Sequence, residues 1–235
     1  MLDAVPERAL PASPAVPLVH EIKYVMPAAS AGPAEAWLKA TCRPERAYPP
    51  AWVCSVYFDS PGADLLEEKI NSDYLKTKVR VRWYEPLAGP AGGPAFLEIK
   101  QRAGTTREKR RLALSTPAAD VAGWPLHDPR WLLLVAPAAA RIGGPLAPVL
   151  RMRYVRSRFF ASLSETRVAL DRHLEVTAVH PALRPRPVPA VLPWAVVEWK
   201  GTSPELSSGL RGLTRFGARR QSFSKYLAGM LAALP

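Results

Sequence analysis

Lys78, Arg80 and Arg82 stand two residues apart in the segment Lys76-Thr77-Lys78-Val79-Arg80-Val81-Arg82-Trp83-Tyr84. The segment reads as a β-strand, and strand side chains alternate between faces. The three cations therefore share one face, and Val79, Val81 and Trp83 share the other. Like charges on one strand face repel, so such a face needs a solvent channel or a polyanion against it. The pattern recurs at Glu98-Ile99-Lys100, Lys109-Arg110-Arg111, Tyr154-Val155-Arg156 and Glu198-Trp199-Lys200. Several charged strand faces in one domain predict a barrel with an ionic interior. Arginine forks match phosphate oxygens in pairs and lysines add point charges, so the chemistry such an interior offers is the holding of phosphates.

The overall charge agrees. A net charge of +12 over 235 residues points to anionic partners: phosphate compounds, nucleic acid or a membrane surface. Part of that surplus also fits a bland reading, since the chain is rich in Ala, Pro and Arg. Nucleic-acid binding would call for exposed basic residues interleaved with aromatic platforms, and the sequence lacks that interleaving; no specific nucleic acid is expected. Cys42 and Cys54 form neither a metal spacing nor a disulfide framework, which suits a reducing, cytoplasmic location. No apolar run approaches the length of a membrane span, and residues 1–17 carry no signal-peptide core.

The elements that must position the cations are mostly strands. Residues 1–17, with four prolines, read as a disordered tail, and residues 18–235 as one domain. Strands are expected at 18–25, 53–59, 75–85, 95–102, 109–114, 150–161, 167–174 and 195–200, and helices at 34–42, 64–71 and 222–234. In the last helix Phe223, Leu227, Met230, Leu231 and Leu234 would form the apolar face. The fold class is α+β and mainly antiparallel: a closed β-tunnel flanked by helices.

In order, these segments resemble the VTC domain, the polyphosphate polymerase domain of the triphosphate tunnel metalloenzyme (CYTH-like) superfamily, over residues 18–230. The motifs are His20-Glu21-Ile22-Lys23-Tyr24, Val56-Tyr57-Phe58-Asp59, Lys78 to Tyr84, Leu97-Glu98-Ile99-Lys100, Lys109-Arg110-Arg111, Tyr154-Val155-Arg156, Arg167 to Asp171, Val197-Glu198-Trp199-Lys200 and Ser224-Lys225-Tyr226. The resemblance implies transfer of the γ-phosphate of ATP to a growing polyphosphate chain, with Mn²⁺ or Mg²⁺. The family's basic positions fall on Lys23, Arg80, Arg82, Lys100, Lys109, Arg156, Arg167 and Lys225. Its metal-binding glutamate falls on Glu198, with Glu21, Glu98 and Asp171 as further candidates. Tyr154 and Ser224 match positions that hydrogen-bond phosphate oxygens, and Lys78, Arg111 and Lys200 are secondary phosphate contacts.

The triphosphatase branch opens on Glu-x-Glu-x-Lys, whereas residues 19–23 supply Val19, Glu21 and Lys23. That departure weighs against simple hydrolysis. An inorganic triphosphatase or polyphosphatase, and a non-catalytic polyphosphate or nucleotide-binding module, are the alternatives. Near Lys109 the register is ambiguous by one residue; Lys109 and Arg111 are expected inward and Arg110 outward. The expected ligands are ATP, inorganic triphosphate and polyphosphate, with a membrane-protein partner left open.

Overall fold

A computed structural model describes residues 20–71, 74–104, 106–161, 166–184, 189–202 and 208–233. The predicted tail at 1–17 lies outside the described residues. The strands are β1 (His20–Pro27), β2 (Cys42–Pro44), β3 (Ala51–Asp59), β4 (Leu75–Pro86), β5 (Pro94–Ala103), β6 (Thr106–Pro117), β7 (Ala147–Ala161), β8 (Arg167–Val179), β9 (Ala190–Val191), β10 (Trp194–Gly201) and β11 (Arg219–Arg220). The helices are α1 (Ala31–Thr41), α2 (Asp64–Ile70), α3 (Ala118–Gly123), α4 (Arg130–Ile142) and α5 (Lys225–Ala233), with a 3-10 helix at Ser208–Phe216.

All strand pairing is antiparallel, in the order β11-β1-β10-β8-β7-β3-β4-β5-β6, with β2 on β7 and β9 on β8. The predicted closed barrel is corrected here. The ladder ends at β6 on one side and at β1 with its short partner β11 on the other, and among the described residues these edges are not hydrogen-bonded to each other. Even so, residues of β1, β3 to β8 and β10 line one cavity, so the sheet curls around an interior without closing.

Alternation sorts the side chains as the sequence implies. On the outer face of β3, β4 and β5, Cys54, Val56, Phe58, Val79, Val81, Trp83, Leu97 and Ile99 pack under α3 and α4. The outer face of β1, β8 and β10 packs Ile22, Val168, Val197 and Trp199 against Ala31, Ala34 and Leu38 of α1. These two layers exclude water from the backs of the strands and leave the polar faces no direction but inward.

The third layer lies on the inner side. Helix α5 buries Tyr226, Gly229, Met230 and Ala233 against Val53, Leu150, Met152 and Val176. The predicted apolar face of this helix needs correction: Leu231 is 70% exposed and Gly229 sits at the contact instead, while the predicted Leu234 lies outside the described residues. A Cβ there would lie 2.7 Å from both Leu150 Cδ2 and Met152 Sδ, so a larger residue would push those two side-chain ends aside.

Asp59, wholly buried, fixes α5 and α2 together. It accepts hydrogen bonds from the backbone N–H groups of Ser60 (2.8 Å), Leu65 (2.9 Å) and Leu66 (3.0 Å), and from Tyr226 Oη (2.7 Å). The Tyr226 ring stacks on Tyr57 at 5.2 Å between centroids. Burial raises the Asp59 carboxyl pKa against those four donors. Asp59→Ala would strand buried donors in both helices, and a loss of about 3 kcal/mol is expected in urea unfolding.

Candidate functional site

The strand register places the predicted cations in cross-strand rows. Lys78 of β4 pairs with Lys100 of β5, which pairs with Lys109 of β6. One step along, Arg80, Glu98 and Arg111 are opposite one another, and Tyr57 of β3 faces Arg80. On the other wall, Lys23 of β1 pairs with Glu198 of β10, and Glu21 with Lys200. Lys200 in turn faces Arg167, and Asp171 faces Arg156. The ambiguous register resolves as expected: Lys109 and Arg111 line the cavity, while Arg110 Nε donates to Glu108 at 2.6 Å.

The cavity encloses about 610 Å³. It gathers Lys23, Lys78, Arg80, Arg82, Lys100, Lys109, Arg111, Tyr154, Arg156, Arg167, Lys200 and Lys225, together with Glu21, Glu98 and Glu198. Two predicted residues stand apart. Ser224 is the residue before α5, where its hydroxyl accepts from Leu227 N at 3.4 Å, a helix-capping contact. Asp171, on the same face as Arg156, is completely buried beneath Arg156 and Lys225.

Two carboxylates anchor arginines. Glu98 Oε2 accepts from Arg80 Nε (2.8 Å) and Nη2 (2.6 Å), with Arg82 Nη1 at 3.6 Å. Burial would raise the Glu98 pKa, but Arg80 and Arg82 outweigh it and hold the carboxyl down to about 2. Asp171 accepts from Arg156 Nε (2.6 Å) and Nη2 (2.7 Å), and Lys225 Nζ lies 2.6 Å from its Oδ2. Burial is again outweighed, by Arg156 and Lys225, so Asp171 stays ionised. Lys225 Nζ also sits over the Tyr154 ring at 4.6 Å. With its lone pairs committed to cations, Asp171 positions Arg156 and Lys225; Glu98 does the same for Arg80.

Glu198 and Glu21 form the other acidic pair. Lys200 Nζ lies 3.4 Å from Glu21 and 3.8 Å from Glu198, and Arg156 Nη2 donates to Glu198 Oε2 at 3.0 Å. Against burial, Arg156 and Lys200 keep Glu198 well below the usual carboxylate range. No cluster of three metal-ligating side chains occurs among the described residues. Glu198 and Glu21 would supply two carboxylates to a hard divalent ion, a class of ion that takes oxygen ligands.

The cations are not all neutralised. Among the described residues, Lys78, Lys100 and Arg167 have no carboxylate within 4 Å. Burial, then Arg80 and Lys23, push Lys78 down to about 7. Burial and Arg80 bring Lys100 to about 7 against the pull of Glu21. The site is thus built under charge strain that a multiply charged anion relieves.

Two residues escaped the sequence reading although alternation would have found them. Tyr84 lies two residues beyond Arg82, and Arg158 two beyond Arg156, and both line the cavity.

The depressed lysines set a pH dependence. Their folded pKa lies below the unfolded value, so above pH 7 the unfolded chain holds more protons and stability rises with pH. The melting temperature of the anion-free protein is therefore expected to climb between pH 7 and pH 9, and inorganic triphosphate should flatten the climb while raising the pH 7 value most. Lys100→Met is expected to raise the pH 7 melting temperature yet weaken triphosphate affinity about tenfold; scanning fluorimetry and calorimetry read both.

The VTC domain family profile matches residues 18–128 and 134–234. A search of curated proteins gives no match. Among solved structures, a Bacillus halodurans protein provisionally assigned as an adenylate cyclase aligns with a TM-score of 0.51 at 14% identity, covering 87% of this chain and 92% of that one. A Vibrio parahaemolyticus protein with the same provisional assignment aligns at 0.46 and 12% identity, covering 89% and 96%. At 14% identity the first likeness speaks for the fold alone. With its profile matched across nearly the whole length, the chain belongs to the VTC domain family.

Proposed function

We propose that the chain is an ATP-dependent polyphosphate polymerase. The γ-phosphorus of ATP loses its bond to the β-bridging oxygen and gains one to the terminal oxygen of a polyphosphate chain, releasing ADP. The observation that carries this reading is an excess of inward cations that runs on past the length of one triphosphate. The first cavity shares Glu21, Lys23, Lys78, Lys100, Lys109 and Lys200 with a second of about 780 Å³. There Lys69, Lys76, Arg102, Arg107 and Arg220 extend the basic lining. A site for a single small anion would have no use for that continuation.

Phosphoryl transfer asks for positioning and charge stabilisation more than for covalent help. Arg80, Arg82 and Arg156 are forks held by buried carboxylates or by Tyr154 Oη, which accepts from Arg82 Nη2 at 3.4 Å. They are already oriented before substrate arrives, so little is lost in ordering them. Lys78 and Lys100, with no carboxylate within 4 Å among the described residues, can follow the moving charge, and Lys109 stands beside them, 3.8 Å from Glu98. Glu198, with Glu21 beside it, would hold a divalent ion, which when bound supplies positive charge to the phosphate oxygens. The polypeptide's own part is to bind the phosphates in line and keep the oxygens neutralised.

Incubation of the purified protein with ATP and Mn²⁺, followed by ³¹P NMR, is expected to show an internal-phosphate resonance growing with ADP. Glu198→Gln should reduce that growth by about a hundredfold or more while the far-UV spectrum is unchanged. Orthophosphate release without chain growth would make the protein a phosphatase and sink the polymerase reading; unaltered ATP would leave a binding module.

A further inference from the structure

Strand β3 turns Val53, Ser55 and Tyr57 to the inner side, because side chains alternate along it and Val53 and Tyr57 belong to the inner layer. Two of the three carry hydroxyls, and each stands opposite an arginine of β4: Tyr57 faces Arg80 and Ser55 faces Arg82. Opposed residues of antiparallel strands share a face, with Cβ atoms roughly 5 Å apart. Tyr57 Oη accepts from Arg80 Nη1 at 3.4 Å. Serine is shorter and makes no such bond. Ser55 Oγ and Arg82 Nε are both buried, and among the described residues neither has a hydrogen-bond partner.

Such a pair is costly. Ser55 is wholly buried and Arg82 is 7% exposed. A buried hydroxyl without a partner loses its hydration for nothing, a loss that alanine at nearly the same size would avoid. On its other side Ser55 faces Met152 of β7, whose thioether is a weak acceptor. Along β3 its neighbours on the same face are Val53, which is apolar, and Tyr57, whose hydroxyl is engaged with Arg80. The strong polar group that the register places beside Ser55 is the Arg82 guanidinium.

Arg82 is also the fork with the weakest hold. Glu98 grips Arg80 at 2.8 and 2.6 Å, and Asp171 grips Arg156 at 2.6 and 2.7 Å. Arg82 has Tyr154 Oη at 3.4 Å and Glu98 at 3.6 Å, both through its terminal Nη atoms. Resting on the reading of the cavity as a phosphate site, we infer that Ser55 is a positioning residue for Arg82. One bound water accepts from Arg82 Nε and donates to Ser55 Oγ. A gap between two buried polar atoms that is too long for a direct bond suits a single water. Arg82 lines the cavity and Ser55 does not, so the serine touches no phosphate and acts only through the fork. With Nε held from β3, the guanidinium plane is set before the ligand arrives, and its terminal N–H groups meet phosphate oxygens in pairs.

Calorimetric titration with inorganic triphosphate and Mg²⁺ tests this on the unaltered protein, Ser55→Ala, Arg82→Lys and the double variant. Arg82→Lys keeps the charge and removes the Nε–H. Ser55→Ala is expected to weaken triphosphate about fivefold in the unaltered background and to have no effect in the Arg82→Lys background. Melting temperatures verify that each variant folds. An idle buried hydroxyl would behave otherwise: Ser55→Ala would raise the melting temperature and leave triphosphate affinity unchanged. That result overturns the positioning role, and so does an equal loss in both backgrounds, which marks a packing defect; in either case the phosphate site stands. If the unaltered protein binds no triphosphate, the phosphate reading itself falls, and the role of Ser55 with it.

Discussion

Repulsion among inward-facing cations is the constraint on which the rest of this structure depends. Lys78, Lys100 and Lys109 are placed side by side on neighbouring strands, an arrangement that destabilises a sheet. The fold tolerates it because the other face of the same strands carries the main apolar layer. Val79, Val81, Trp83, Leu97 and Ile99 are buried under α3 and α4, and hydrophobic burial there offsets the electrostatic cost on the inside.

The carboxylates divide the labour. Glu98 and Asp171 are buried, ionised and saturated with arginine or lysine. They lend geometry to the forks, since a buried guanidinium keeps its place only when paired. Glu21 and Glu198 lie at the cavity and share Lys200. The lysine row has no acid of its own except where Lys109 comes within 3.8 Å of Glu98. Ordered arginines beside under-compensated lysines suit a multiply charged phosphate ligand.

Helix α5 links this electrostatics to packing. Its Lys225 reaches Asp171 and the Tyr154 ring. The next residue, Tyr226, is bonded to Asp59 and stacked on Tyr57, whose hydroxyl accepts from Arg80 Nη1 at 3.4 Å. Placement of one cation is therefore tied to a buried aspartate that lines no part of the cavity. Among the described residues no helix is long and apolar enough to cross a membrane.

The alternation of charge and hydrocarbon in the sequence by itself determined which strand faces turn inward, because a face of Lys78, Arg80 and Arg82 backed by Val79, Val81 and Trp83 has only one stable orientation in a layered fold. It also grouped the cations of β4, β5 and β6 that line the cavity: a period of two is local, and cations spaced by it need no tertiary information to be grouped. Tertiary structure alone decided three things. The seam between β1 and β6 depends on how far the sheet curls, a sum of small twists over the whole ladder. The roles of Glu98, Asp171 and Glu198 depend on cross-strand partners from distant segments, so identical-looking strand carboxylates became anchors or cavity groups. The buried face of α5 followed Gly229 and Tyr226 rather than Leu231, because close approach to Leu150 and Met152 outweighed the hydrophobicity of one exposed leucine.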